Sequence, residues 1–357
     1  MKAEVTVFGS AEGVTLRAHT VKANLPEVLK LAAEVLRMPA LGRDELERTV
    51  SEAVAEAESR KHEPEYVASL ELARNMKPYP KGHVRAVPTP DEAIADLKAL
   101  KPDDVAAFHK DFYGAAAGEM AVIGDFDIHQ TKAGIQDLFG AWKARRAFAR
   151  ILDHNFGVAP VNKVFETPDK ANASFRAGLE ITMRDSGPDY PAMLMADYMI
   201  GGGAFHSRLA DRIRQSDGIS YTVGSRLWVS PFDAVGYWSA YAICNPVNMG
   251  KLENAFREEL ARALKDGFTA DEIEAAKTSW VQGQAQDRSQ DKNLAEALAD
   301  QLHTGRTMAF QANMEDRVKA LTNDRILAAL RKHLDPARMS MVKAGEFKGN
   351  PNPTPNR

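Results

Sequence analysis

Nine histidines are spread along the 357 residues, at positions 19, 62, 83, 109, 129, 154, 206, 303 and 333, and no two lie within one helical turn of each other. Imidazoles a turn apart are how a helix presents two ligands to zinc, so this chain has no such pair to offer. Carboxylates are denser: Glu52, Glu56, Glu58, Glu63 and Glu65 crowd one stretch. Without imidazole partners they read as a solvated helix face, because a lone carboxylate falls far short of the ~10–16 kcal/mol typical of structural zinc. The single cysteine, Cys244, lies in the strand-like YWSAYAIC. With no second thiol for a disulfide, it reads as a small buried apolar residue. Glycines 201–203 close a helical pattern instead of opening one, and no Gly-Lys-Ser/Thr follows, so they are not a phosphate loop. Met193, Met195 and Met199 stand in the helical run before them and read as core or interface filler.

The elements that position these residues follow one design written twice. Residues 100–127 lay without a gap on 321–348, and Leu100, Asp103, Ala107, Ala116, Met120, Gly124 and Phe126 meet identical residues at 321, 324, 328, 337, 341, 345 and 347. In both copies a helical pattern runs into a strand that ends Gly-acid-Phe, and internal repetition of this kind outranks any single motif. A second stretch agrees, since 42–61 resembles 269–288 as a long helix with an acidic start. The second copy also has a strand over 171–183 and a helix over 190–202 that the first lacks. By comparison of the copies, roughly 60 residues of the first domain are expected to be absent.

Hydrophobic periodicity gives two strands in 1–20 and helices over 25–38, 42–61, 65–76, 91–98 and 103–113, with Asn24 as the expected N-cap of the first. A strand is expected over EMAVIGDF (119–126), and adjacent hairpin-like strands after Tyr221. The class is therefore α+β with largely antiparallel sheets. The expected division is a truncated first copy over 1–142, a linker over 143–162 and a complete second copy over 163–349. A disordered, Pro-rich tail is expected over 350–357.

Composition sets broad limits. With 44% apolar and 27% charged residues the chain can bury a sizeable core. A net charge of −3 with interspersed signs argues against nucleic acid or an anionic membrane surface as a partner. No apolar run reaches the length of a membrane span.

The stretch GGGAFHSRLADRIRQSDGISYTVGSRL (201–227) resembles the second-domain signature of the pitrilysin/insulinase family of zinc metallopeptidases. VIGDFD (122–127) is similar to the phrase closing that family's first domain, and 26–64 resembles its helix pair. The resemblance covers nearly the whole chain, in the right order. It implies two copies of a metallopeptidase-family α/β-sandwich domain, the first truncated at its N-terminus.

The family's chemistry uses an H-x-x-E-H helix, which none of the nine histidines begins or ends. The resemblance thus implies the non-catalytic C-terminal portion of a zinc metalloendopeptidase. Such a portion forms the wall of a peptide-binding chamber, holds no cofactor itself, and works with zinc in the parent enzyme or a partner. It points to a catalytic metallopeptidase domain or subunit and a peptide substrate as partners. Glu56 falls loosely at the position of the family's downstream zinc-ligand Glu. Arg214 and Tyr221, seven residues apart, match an Arg and a Tyr by which the family's second domain reaches substrate, with Arg208, Arg212 and Arg226 as lower-ranked neighbours. Arg would donate to a substrate carbonyl and the Tyr hydroxyl would stabilise a developing oxyanion. A contrasting reading is an inactive scaffold or partner subunit of a processing-peptidase-like complex, acting through protein–protein contacts. The sequence fixes no compartment; a bacterial tandem peptidase would favour the periplasm.

Overall fold

The computed structural model describes residues 2–203 and 207–348; the expected tail, 350–357, lies outside them. The elements in chain order are β1 (Ala3–Gly9), β2 (Val14–Thr20), α1 (Leu25–Arg37), α2 (Arg43–Arg60), α3 (Pro64–Met76), α4 (Pro90–Ala99), α5 (Pro102–Phe112), α6 (Ile128–Phe139), β3 (Asn162–Glu166), β4 (Ala173–Ile181), α7 (Tyr190–Asp197), β5 (Ser220–Val229), β6 (Gly236–Cys244), α8 (Met249–Asp266), α9 (Ala270–Arg288), α10 (Asp291–His303), α11 (Met308–Lys319), α12 (Asn323–His333) and β7 (Ser340–Gly345). The chain divides into two compact units, one of residues 1–57, 91–152 and 286–308, the other of 58–90, 153–285 and 309–357.

In the first unit β1 and β2 form an antiparallel hairpin that pairs Val5 with Ala18 and Val7 with Leu16. The Ser10 hydroxyl accepts from the Glu12 and Gly13 amides and so shapes the turn. A two-stranded sheet is marginal by itself. Here α1 packs along β2 and against α6, burying Val28, Ala32 and Ala33. Asn24 does not cap α1 through its side chain, because it lies at φ −104°, ψ 0° in a 3-10 turn that feeds the helix. α6 was not foreseen in the sequence. Its start is nonetheless marked by Asp127, whose carboxylate accepts from the amides of His129 and Gln130, both at 2.9 Å.

The repeat is legible in the helices: α5 and α12 have the same length and stand at the same offset as the residues that align them. The strand expected over 119–126 does not form a ladder, whereas its counterpart β7 does. A strand needs a neighbour to hydrogen-bond, and among the described residues β1 and β2 pair only with each other.

The second unit is built on a five-stranded sheet of order β3-β7-β4-β6-β5, antiparallel except for β3 with β7. β4 is central and buried on both sides. Its odd-numbered residues, Phe175 to Ile181, join α7, α8 and α12 in the main core, where Trp238 stacks on Phe256 and Phe175 meets Phe256 at a tilt. Its even-numbered side meets α3: Leu72 lies where a Cβ on Gly178 would point, and Ala68, Leu72 and Met76 pack on Val342 and Ala344. Burying each large apolar side chain contributes roughly 1.5–3 kcal/mol, and the three methionines of α7 and its extension (Met193, Met195, Met199) share in this core, as expected. Cys244 is also buried, and desolvation pushes its thiol up to about 12.

Candidate functional site

The site is assembled where α7 ends and β5 begins. After Asp197 the helix widens into a π-helical turn, Tyr198–Gly202, in which the Gly203 amide reaches back to the Tyr198 carbonyl. Residues 204–206 lie outside the described residues. A second π-helical stretch, Ala210–Ser216, carries Arg214 and ends at Gly218, whose φ of +60° suits a glycine. The chain then enters β5, the edge strand.

That entry is irregular. The β5–β6 register pairs Ser220 with Cys244 and Thr222 with Ile243, so Tyr221 is the extra residue of a bulge. A bulge on an edge strand re-aims a side chain, and the Tyr221 ring stands 82% exposed. The Ser220 hydroxyl anchors the bulge by donating to the Ile243 carbonyl at 2.6 Å. The Arg214 guanidinium lies 4.7 Å from the centre of the Tyr221 ring, within cation–π range. The two residues singled out from the sequence are thus neighbours at the surface of this unit.

The lower-ranked arginines near them have other engagements. Arg208 makes a two-pronged ion pair with Glu272, at 2.7 and 2.9 Å, and covers Phe268. Arg212 binds Asp217 at 2.8 Å and Glu258 at 3.3 Å. Further along β5 the strand meets a group that sequence reasoning missed. The Asp197 carboxylate is 7% exposed; one oxygen accepts from Ser225 Oγ at 2.6 Å and Trp238 Nε1 at 2.8 Å, the other from the Leu227 amide at 3.1 Å. Burial pushes its carboxyl up to about 6 against the pull of these three donors and Arg226. The one signal in the sequence was a solitary acid inside the apolar run AMLMADYMI.

For zinc the residues do not fit. Among the described residues no three His, Cys, Asp or Glu side chains converge on a metal-sized site. Glu56 is exposed on α2, and the carboxylates around it serve ion pairs: Glu52 with Arg48, Glu58 with Lys61, Glu63 with Lys170 and Glu65 with Arg176.

Compared with known families, residues 99–279, half of the chain, match the model described as the peptidase M16 inactive domain. The chain belongs to this family. The match agrees with the pitrilysin/insulinase resemblance, and it covers α7, both π-helical stretches and the β5–β6 hairpin. Proteins of Mycobacterium leprae and Mycobacterium tuberculosis named as uncharacterized zinc proteases are each 24% identical over 77% of the chain. The chain spans only 61% and 62% of their lengths. Among solved structures, a peptidase M16 inactive domain from Pseudomonas fluorescens superposes with TM-score 0.80 at 21% identity, over 96% of this chain and 80% of the other. A Helicobacter pylori protease gives 0.79 at 15% identity, over 96% and 82%. The periplasmic protease PqqL of Escherichia coli gives 0.74 at 13%, over 96% of this chain and 37% of that one. As an M16 inactive domain with an α+β, largely antiparallel fold, the chain agrees with the class expected from its sequence.

Proposed function

We propose that this M16 inactive domain is the non-catalytic part of a zinc metalloendopeptidase. In this reading it contributes wall and substrate-binding residues to a peptide chamber, while the zinc and its H-x-x-E-H helix sit on a fused domain or partner subunit. The observation that carries the reading is the Arg214–Tyr221 pair, held together at the surface by the bulge in β5. A guanidinium and a phenol side by side can donate to a peptide carbonyl and to a developing oxyanion, and neither role needs the side chain to leave water in the resting protein. The zinc-protease names of the mycobacterial relatives support the same reading.

The test is peptide turnover by the chain reconstituted with its H-x-x-E-H-bearing domain or subunit, comparing wild type with Arg214→Ala and Tyr221→Phe. Loss of a charge-assisted hydrogen bond costs about 1.5–3 kcal/mol, so kcat/KM should fall by roughly 10- to 100-fold for Arg214→Ala with the melting temperature nearly unchanged. Unchanged turnover in both variants would favour a scaffold that acts by protein–protein contacts.

A further inference from the structure

The Asp197 network ties the end of α7, where the π-helical turn begins, to strands β5 and β6, which already pair with each other. The backbone is shaped around it. A Cβ on Gly202 would stand 2.8 Å from Asp197 Oδ2, and one on Gly201 would stand 2.5 Å from the Ser225 amide nitrogen. The two glycines therefore let the turn close onto the carboxylate and onto β5 at the residue that binds it. Ser225 is four residues along the strand from Tyr221, and the stretch carrying Arg214 packs on the same strand.

We infer that Asp197 is a positioning residue: with both carboxylate oxygens accepting hydrogen bonds, it clamps β5 to the glycine turn and so fixes where the Arg214–Tyr221 pair stands. This deepens the proposed function and rests on the reading of that pair as substrate-binding. The clamp depends on charge. Ser225 Oγ–H, Trp238 Nε1–H and the Leu227 N–H all donate, and a proton on Oδ2 would replace the acceptor facing Leu227 with a second donor. Burial pushes the carboxyl up to about 6, so mild acidification is expected to protonate it and open the clamp.

The charged neighbours on the packed elements have partners of their own. On β5, Arg226 favours the ionised form. On α12, Lys332 and His333 are held by Asp189 at the other end of α7, and Arg331 caps carbonyls of 264 and 265. On α8, Glu253 pairs with Lys343 and Arg257, and Glu259 with Arg262.

The test is an NMR titration of the full chain from pH 8 to pH 4.5, with 15N-tryptophan and ring-13C-tyrosine. The four indoles are assigned with Trp142→Phe, Trp228→Phe and Trp280→Phe, and the ring signal with Tyr221→Phe. The Trp238 indole N–H and the Tyr221 ring should move together with one midpoint near pH 6. Asp197→Asn, which presents an amide N–H₂ in place of one acceptor, should show the acid spectrum at all pH values and no titration. Ser225→Ala removes one donor to the ionised form and should raise the common midpoint by roughly half a pH unit or more. This second variant keeps the test decisive if Asp197→Asn fails to fold. A flat Trp238 signal, or a Trp238 titration that Tyr221 does not follow, overturns the inference. Because no peptide is involved, that failure is separate from loss of the proposed function, which turnover by Arg214→Ala and Tyr221→Phe reports.

Discussion

Lys343 is 1% exposed in the middle of β7, and its ammonium lies 2.5 Å from Glu253, which also accepts from Arg257 at 2.7 Å. Burial pushes the Glu253 carboxyl up, but the hydrogen bonds and charges of Lys343 and Arg257 outweigh it and leave it below its ordinary 4.5. A carboxyl depressed in the folded state stabilises the fold above its unfolded pKa and loses that contribution as pH falls through the folded value. Lys343→Met should therefore destabilise by about 2–4 kcal/mol at pH 7, since it leaves a half-buried carboxylate with one partner. It should also flatten the loss of stability between pH 5 and pH 3. Urea denaturation across that range measures both effects, and the double variant Lys343→Met/Glu253→Leu should recover most of the loss. Cys244 gives a simpler expectation. With its thiol raised by burial, it should resist alkylation by iodoacetamide in the native chain and react only with the unfolding rate.

At the scale of elements, the glycine turn and α3 test how the second unit is held. Gly201→Ala places a methyl 2.5 Å from a backbone nitrogen of β5, which no rotamer change relieves. The expected cost is about 2–3 kcal/mol, together with a weakened Asp197–Ser225 bond seen as a perturbed Trp238 indole signal. Helix α3 shows a different dependence. It fills the second face of the sheet through Ala68, Leu72 and Met76, although its residues precede that sheet's first strand by a long stretch of chain. Leu72→Ala should cost roughly 2–4 kcal/mol by opening a cavity over Gly178, Val342 and Ala344. Calorimetry should show the loss in the transition that reports the buried Trp238. A loss confined to a transition of the first unit would mean that α3 does not stabilise this sheet.

For the whole molecule, the absence of a converging ligand set among the described residues makes metal content the direct check. After dialysis against a weak chelator the isolated chain should hold far less than one zinc per molecule. It should cleave no peptide, because none of its nine histidines stands in an H-x-x-E-H helix of the kind that activates zinc-bound water. A stoichiometric zinc lost on Glu56→Ala would overturn this and make α2 a metal helix.

Periodicity alone placed α1 to α5 and the β5–β6 hairpin, because an amphipathic face repeats every turn and an edge hairpin alternates. The register shared by 100–127 and 321–348 aligned α5 with α12, which have the same length, although only α12 buries residues, Ile326, Ala329 and Leu330. The spacing of Arg214 and Tyr221 could be read in the same way, but their meeting could not: it depends on a bulge at Tyr221, which is a property of strand pairing. The strand expected over 119–126 failed for the same reason, as sequence proposes an extended segment and only a neighbour makes it a strand. Asp197 was unreadable in role, because an acid in an apolar run gains meaning only when Ser225, Leu227 and Trp238, distant along the chain, bring their donors to it. What the sequence determined is the periodic and the repeated; what tertiary structure decided is every contact whose partners no local pattern connects.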